Sequence, residues 1–333
     1  NIIDTSITGV PQQIASIPAQ ALGAVAGKPG TLQVIEWSTD NKHLLVKYNV
    51  EGSPATFALL DREDFSKSVN LNTLFNTQPS KVSLAGSKAE KVYMYYASGG
   101  ILKLADIKSK TLGEKLYDQV LDFKSVTEDR IIYATTLNST AGKVTINSAV
   151  SDKVFLIGEV DYDANGQYTL EASEYDGNWY YAIGSRQSEK MHVYKNPQNF
   201  SKSDKNKIPN IYTTIRAGIP KYVGFSKGGR FLLMQSDKVF VTYDFDRKTS
   251  YRVNLTAALD EGSSLSWLDE YLVQYSSAGH LYISEFDGKN TRDMATVKAP
   301  FKGMIDESTK RLYTINIVNG VTVSQLTKLT LEN

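Results

Sequence analysis

The sequence predicts an all-β chain, a seven-bladed β-propeller of four-stranded blades, on three observations. The first is period. Long 3.6-residue stripes are nearly absent, and short alternating runs bounded by Gly, Asn, Asp and Ser take their place: HLLVKYNV, KVYMYYA, RIIYATT, NWYYAIG, RFLLMQS, YLVQYSS and RLYTINI. Each reads as a strand by alternation and by β-branched and aromatic content. The second is pairing. Each run follows a short apolar segment across a polar turn, as in VIEW-STDNK-HLLV, DFKSV-TED-RIIY, LEASEY-DG-NWYY, VGF-SKGG-RFLL, LSW-LDE-YLVQ and GMI-DESTK-RLYT, with VSLAG-SKAE-KVYM a looser match. These seven copies recur at about 37 to 52 residues, the spacing of propeller blades. The third is the turn after the third strand, which Asp leads in LLDREDFSKS, LADIKSKT, TYDFDRKTS and SEFDGKNT, where an Asx-turn would start a fourth strand.

On this reading residues 31–333 form a single propeller domain, and residues 1–30 are an N-terminal segment, a linker or a ring-closing strand. The seventh copy supplies only three strands, FKGMIDE, RLYTINIV and VTVSQLTKL. Part of the N-terminal segment, Ile2 to Val10, is therefore expected to add the outer strand of the last blade and remove a pair of open edges. The alternative is a linker to something upstream.

Composition narrows the partners. The net charge of +1 gives no electrostatic case for nucleic acid or an acidic membrane as the main partner. No stretch reaches the roughly 18 apolar residues of a membrane span, so membrane association is expected only through a segment outside this chain. The absence of Cys excludes disulfides and thiolate metal sites. Twenty Tyr favour strands and amphipathic surfaces. The chain begins at Asn1 rather than Met, which suggests a processed product or a fragment.

Several motifs have a chemical reading and a plainer one. GFSKG, Gly224 to Gly228, fits the G-x-S-x-G of serine hydrolases, but that motif needs a strand-to-helix turn and a strand follows here. A hairpin turn is the expectation. His43, His192 and His280 open or lie in strands of three different copies, and no relay or three-His metal pattern joins them. DYDANGQ, Asp161 to Gln167, opens like a calcium loop, with Asp161, Asp163 and Asn165 as candidate ligands. Ala172 stands where a twelfth-position Glu would, and Thr169 where a ninth-position acid would. Calcium is thus a weak expectation beside a plain Asn-Gly turn. The basic loop Ser201 to Lys207 reads as a solvated connection, since Asp204 interrupts it. No P-loop, G-x-G-x-x-G, H-E-x-x-H or paired-carboxylate motif argues for catalysis.

The W-S-x-D-x-K-x-L pattern at Trp37 to Leu44 resembles the TolB-type or WD40-like propeller repeat, with Thr39 for the usual Pro and Asn41 for the usual Gly. Phe225 to Arg230 is a looser copy that lacks the Asp. The run Leu59 to Phe75 also looks like the propeller part of bacterial PEGA-domain envelope proteins. The propeller-repeat resemblance implies the fold, and the PEGA-type one a bacterial cell envelope, extracytoplasmic. The expectation from the whole sequence is a monomeric, non-enzymatic module that binds a protein or a surface glycan. The alternative is a glycan-binding or glycan-processing propeller with its site at the central channel. The loops joining second to third strands and successive blades share one face. On that face Arg186, Arg216, Lys221, Asp260 and Phe301 are the candidate contact residues, Arg and aromatics being the usual energetic anchors.

Overall fold

The computed structural model describes residues 2–4, 12–15, 22, 28–86, 89–151, 153–200, 208–260, 263, 265–298, 303–306, 311–318 and 321–328. Alternation becomes sheet throughout. A hairpin of β1 (Ile2–Asp4) and β2 (Gln12–Ala15) precedes six four-stranded antiparallel blades. Blade one is β3 (Gly30–Trp37), β4 (His43–Val50), β5 (Thr56–Asp61) and β6 (Val69–Asn70). Blade two is β7 (Lys81–Leu84), β8 (Lys91–Tyr96), β9 (Ile101–Asp106) and β10 (Thr111–Tyr117). Blade three is β11 (Val120–Thr127), β12 (Arg130–Thr135), β13 (Lys143–Val150) and β14 (Lys153–Asp161). Blade four is β15 (Tyr168–Tyr175), β16 (Asn178–Ser185), β17 (Lys190–Lys195) and β18 (Thr213–Arg216). Blade five is β19 (Tyr222–Phe225), β20 (Phe231–Gln235), β21 (Val239–Asp244) and β22 (Thr249–Asn254). Blade six is β23 (Ser266–Trp267), β24 (Leu272–Ser277), β25 (His280–Glu285) and β26 (Arg292–Thr296). A three-stranded sheet of β27 (Met304–Asp306), β28 (Arg311–Val318) and β29 (Val321–Lys328) follows.

Six four-stranded blades therefore stand where seven were expected, and the N-terminal strand does not complete the seventh repeat. Ile2–Asp4 pairs with Gln12–Ala15 instead. The reason is local. Closing a short hairpin loop costs far less chain entropy than closing one that spans most of the chain. The rest of the 2–10 stretch lies outside the described residues.

The chain divides into two compact units, Asn1–Phe155 and Leu156–Asn333. Within each unit the core lies between successive blades. In the first unit, Leu45, Phe57 and Leu59 of blade one meet Val82, Leu84, Val92 and Met94 of blade two. On the opposite face of blade one, Leu22 packs on Leu44, Val46, Ala58 and Leu60. In the second unit, Tyr180, Ala182, Met191 and Val193 of blade four pack on Leu232, Met234 and Val241 of blade five. Leu233 and Phe240 of blade five then meet Leu265, Val273 and Tyr275 around blade six. Both faces of the middle strands are buried, so HLLV, RIIY and FLLM read as continuous apolar runs. Burying one such Leu or Phe side chain contributes roughly 1.5–3 kcal/mol.

The Asp-led turns form as expected. Asp61 Oδ1 accepts from the amides of Glu63 and Asp64, and Asp244 Oδ1 from those of Asp246 and Arg247. Each blade thus has two ends. The turns joining its first to second and third to fourth strands form a hairpin end. The loops joining second to third strands, and one blade to the next, form a loop end.

Candidate binding surface

At the hairpin end of blade one, Ser38 organises the turn. Its hydroxyl donates to Asp40 Oδ1 at 2.5 Å, and the amide of His43 donates to Ser38 Oγ at 2.9 Å. The amide of Lys42 adds a second donor to the same Asp40 oxygen at 2.9 Å. The Ser38 hydrogen bond, then the Lys42 amide, holds the Asp40 carboxyl below its ordinary value. His43 is 4.0 Å from Asp40 and 3.9 Å from Asp61, and the Ser38 hydroxyl turns to the carboxylate rather than to the imidazole. Ser38, Asp40 and His43 thus build a turn.

Blade five repeats this plan around Ser226. The amide of Phe231 donates to Ser226 Oγ at 2.9 Å. Position 228 is Gly, so the turn has no acid of its own. Glu270, from the first turn of blade six, fills the place. Its Oε1 accepts from Ser226 Oγ at 3.0 Å and from the Arg230 amide at 3.1 Å, and its Oε2 from the Gly228 amide. A Cβ built at Gly228 would lie 2.7 Å from Glu270 Oε2. Gly229 has φ +81°, and a Cβ there would lie 2.4 Å from the Glu174 carbonyl oxygen. Gly229 is required by its backbone, Gly228 only while Glu270 holds its place, and GFSKG lies in the strand–turn–strand of β19 and β20.

Arg230 closes this end. Its Nε and Nη2 bind the fully buried Asp244 at 3.1 and 2.8 Å, and Nη2 also reaches Asp246 at 3.3 Å. The Asp244 hydrogen bond pushes Arg230 above its ordinary value. Burial works to raise Asp244, but the Arg230 hydrogen bonds, backbone amides and the guanidinium charge hold it below the usual carboxylate range. A cleft of about 440 Å³ opens beside Arg230, lined by Tyr175, Lys227, Gly228, Glu270 and Tyr271. A second, of about 470 Å³, lies in the first unit against Thr39, Asp40, His43, Glu90 and Lys108.

The loop end of the second unit carries the residues that the sequence singled out. Three of them tie loops of their own blade together. Asp163 is buried and its carboxylate accepts from the Asn165 amide, Ser185 Oγ and Gln187 Nε2, at 2.8, 3.2 and 3.2 Å. Asp260 accepts from the Gly279 amide at 3.2 and 3.1 Å. Lys221 pairs with Asp237. In each case a group on the loop entering the blade meets the loop after its second strand. The Asp161, Asp163 and Asn165 set does not fit calcium, because donors occupy the Asp163 oxygens that an ion would need. Among the described residues, no three His, Asp or Glu side chains converge on a metal-sized site. Phe301 lies outside the described residues.

Arg186 and Arg216 differ from these three. Both are exposed. Arg216 stands directly opposite Lys190 in the β17–β18 register, and Lys190 is exposed as well. Cross-strand partners share a face, and like charges placed so are destabilising. From β22, exposed Arg252 reaches over, its Nη1 donating to the Arg216 carbonyl at 3.3 Å. Among the described residues no carboxylate forms an ion pair with Lys190, Arg216 or Arg252. Sequence reasoning missed Lys190 and Arg252. Strand register brings Lys190 opposite Arg216, and the packing of blade five against blade four brings Arg252 to the Arg216 carbonyl.

No family model matches the chain, and no curated protein matches it by sequence. Solved structures do. An oligogalacturonate lyase in complex with manganese is similar at TM-score 0.53 and 10% identity, covering 88% of each chain. A hydrazine synthase from Kuenenia stuttgartiensis gives TM-score 0.52 and 11% identity over 87% of this chain and 94% of that one. A chain of a mitotic checkpoint complex gives TM-score 0.52 and 11% identity over 84% and 85%. At such identities the likeness shows the fold alone: the chain is an all-β propeller of six four-stranded blades.

Proposed function

We propose that this chain is a non-catalytic propeller module that binds a macromolecular partner, a protein, through the loop end of blades four and five. The observation that carries the reading is the exposed like-charge pair of Lys190 and Arg216, with Arg252 alongside. Folding gains nothing from two cations placed opposite one another. A partner that brings acidic groups to them does. Arg186, exposed in the loop after β16, lies on the same end. The likeness to a chain of a mitotic checkpoint complex fits a fold used in protein assemblies. The TolB-type or WD40-like repeat at Trp37 to Leu44 fits it too, its Ser and Asp serving the turn.

The test is capture of partners on the immobilised chain, wild type against the double variant Arg186→Ala/Arg216→Ala. Proteins retained by the wild type and lost by the variant support the reading. Identical capture by both contradicts it.

A further inference from the structure

An outer strand of a blade has one edge without a backbone partner, and proteins blunt such edges by shortness, bulges or charge. The outer strands of these blades do so unequally. β6 has two residues, and β10 and β26 slip register against their neighbours. β18 has four residues, and Arg252 takes the carbonyl at its end. β22 is different. Its six residues Thr249–Asn254 pair with β21 in unbroken register, and it closes the strand order of blade five. Its sequence, TSYRVN, is strand-favouring and contains no Pro or Gly.

The two faces of β22 have distinct chemistry. Ser250, Arg252 and Asn254 are exposed, and Arg252 leans towards Arg216 of blade four. Tyr251 and Val253 are half-buried on the other face, where Tyr251 meets Phe286 at 5.1 Å and Val253 joins the Leu233 and Val273 cluster. A strand added to this edge would send alternate side chains to the two faces. One set would meet Arg252, which shares its face with Val241. The other would extend the apolar face of Tyr251 and Val253.

We propose that the open edge of Thr249–Asn254 takes an extended peptide segment that alternates acidic and apolar residues, as a fifth strand of blade five. The inference rests on the binding role proposed above and adds the partner's chemistry and pairing mode. Main-chain hydrogen bonds supply affinity, and the acids opposite Arg252 set parity and direction. An acidic peptide without the alternation could satisfy the cations but not the strand.

The experiment is fluorescence anisotropy of the full chain with a labelled octapeptide that alternates Glu and Val. The comparison peptides are a block sequence of the same composition, a Lys–Val alternation and a version N-methylated on the amides of one edge. Saturable binding of the Glu–Val peptide, at least about tenfold tighter than the block peptide and lost on N-methylation of the pairing edge, supports the proposal. Arg252→Glu should lose that peptide and gain the Lys–Val one. Equal binding of block and alternating peptides overturns it, as does no binding by about 1 mM. Equal competition by heparin or by anionic vesicles also overturns it, as does self-association of the chain that Arg252→Glu abolishes. Partner capture separates the two readings. If Arg186→Ala/Arg216→Ala abolishes capture and Arg252→Glu does not, the binding surface stands and the strand addition falls. If neither variant changes capture, both fall.

Discussion

In the second unit, the hairpin end of blade five holds Arg230 between Asp244 and Asp246, while at the loop end of blades four and five no acid among the described residues pairs with Lys190, Arg216 or Arg252. At the hairpin end, opposite charges meet, and both oxygens of the buried Asp244 have donors. At the loop end, like charges face solvent. The difference separates charge that holds the fold from charge available to a partner. Substitutions at the hairpin end should therefore cost stability, and substitutions at the cationic seam should cost binding.

The largest effect is expected at Arg230. Arg230→Ala leaves Asp244 buried without its partner, which should lower unfolding free energy by about 3–5 kcal/mol in urea titrations. Asp244 has a folded value below its unfolded one. Its contribution is thus present above about pH 4 and lost as pH falls through the lower folded value. Arg230→Ala should flatten that acid limb. An unchanged midpoint would place Arg230 with the exposed cations.

Glu270 comes next. Glu270→Ala strips the acceptor from Ser226 Oγ and two amides, a loss of about 1.5–3 kcal/mol. Gly228→Asp should destabilise the wild type, since its Cβ meets Glu270 Oε2, yet restore stability to the Glu270→Ala background. A double-mutant cycle reads this directly. Strict additivity would show that the two carboxylates do not occupy one place.

The tyrosines give a third, alkaline effect. Burial first pushes Tyr180, Tyr194, Tyr222 and Tyr243 up to about 12. The folded state keeps their protons where the unfolded chain releases them. Stability should therefore be intact below about pH 10 and fall steadily towards pH 12. A tyrosinate absorbance titration that shows ionisation near pH 10 before unfolding would contradict this. The smallest effect concerns the Asp161 loop. Asp163→Asn should lower the melting temperature whether or not calcium is added, and calcium should not move the wild type. A calcium-dependent rise would contradict the assignment of Asp163 to the turn.

Much of the fold was legible because alternation and turn chemistry are local. HLLVKYNV is β4, residue for residue, and the Asp-led turns at Asp61 and Asp244 formed as read. The blade count was not legible, because choosing a partner for Ile2–Asp4 is a competition between a near strand and a distant one. The two Ser turns show the same limit at a single site. In blade one the turn's acid is Asp40, two residues from Ser38, and WSTDNK announces it. In blade five it is Glu270, 44 residues from Ser226, so GFSKGG looked like a degraded copy when its acid had only moved to the next blade. Asp163, Lys221 and Asp260 lie in loops at the loop end, but only their partners reveal that they hold loops together. Lys190 and Arg252 carry no motif: the place of Lys190 opposite Arg216 depends on register, and that of Arg252 on how two blades pack.

Lys190→Glu tests the central claim in one protein. The substitution turns the like-charge pair opposite Arg216 into an opposite-charge pair and removes a cation from the seam. Urea unfolding and partner capture are measured on the same variant. Unfolding free energy should rise by about 0.2–1 kcal/mol while partner binding falls. A loss of stability with binding unchanged would show that Lys190 serves the fold, and would contradict the separation of structural charge from binding charge.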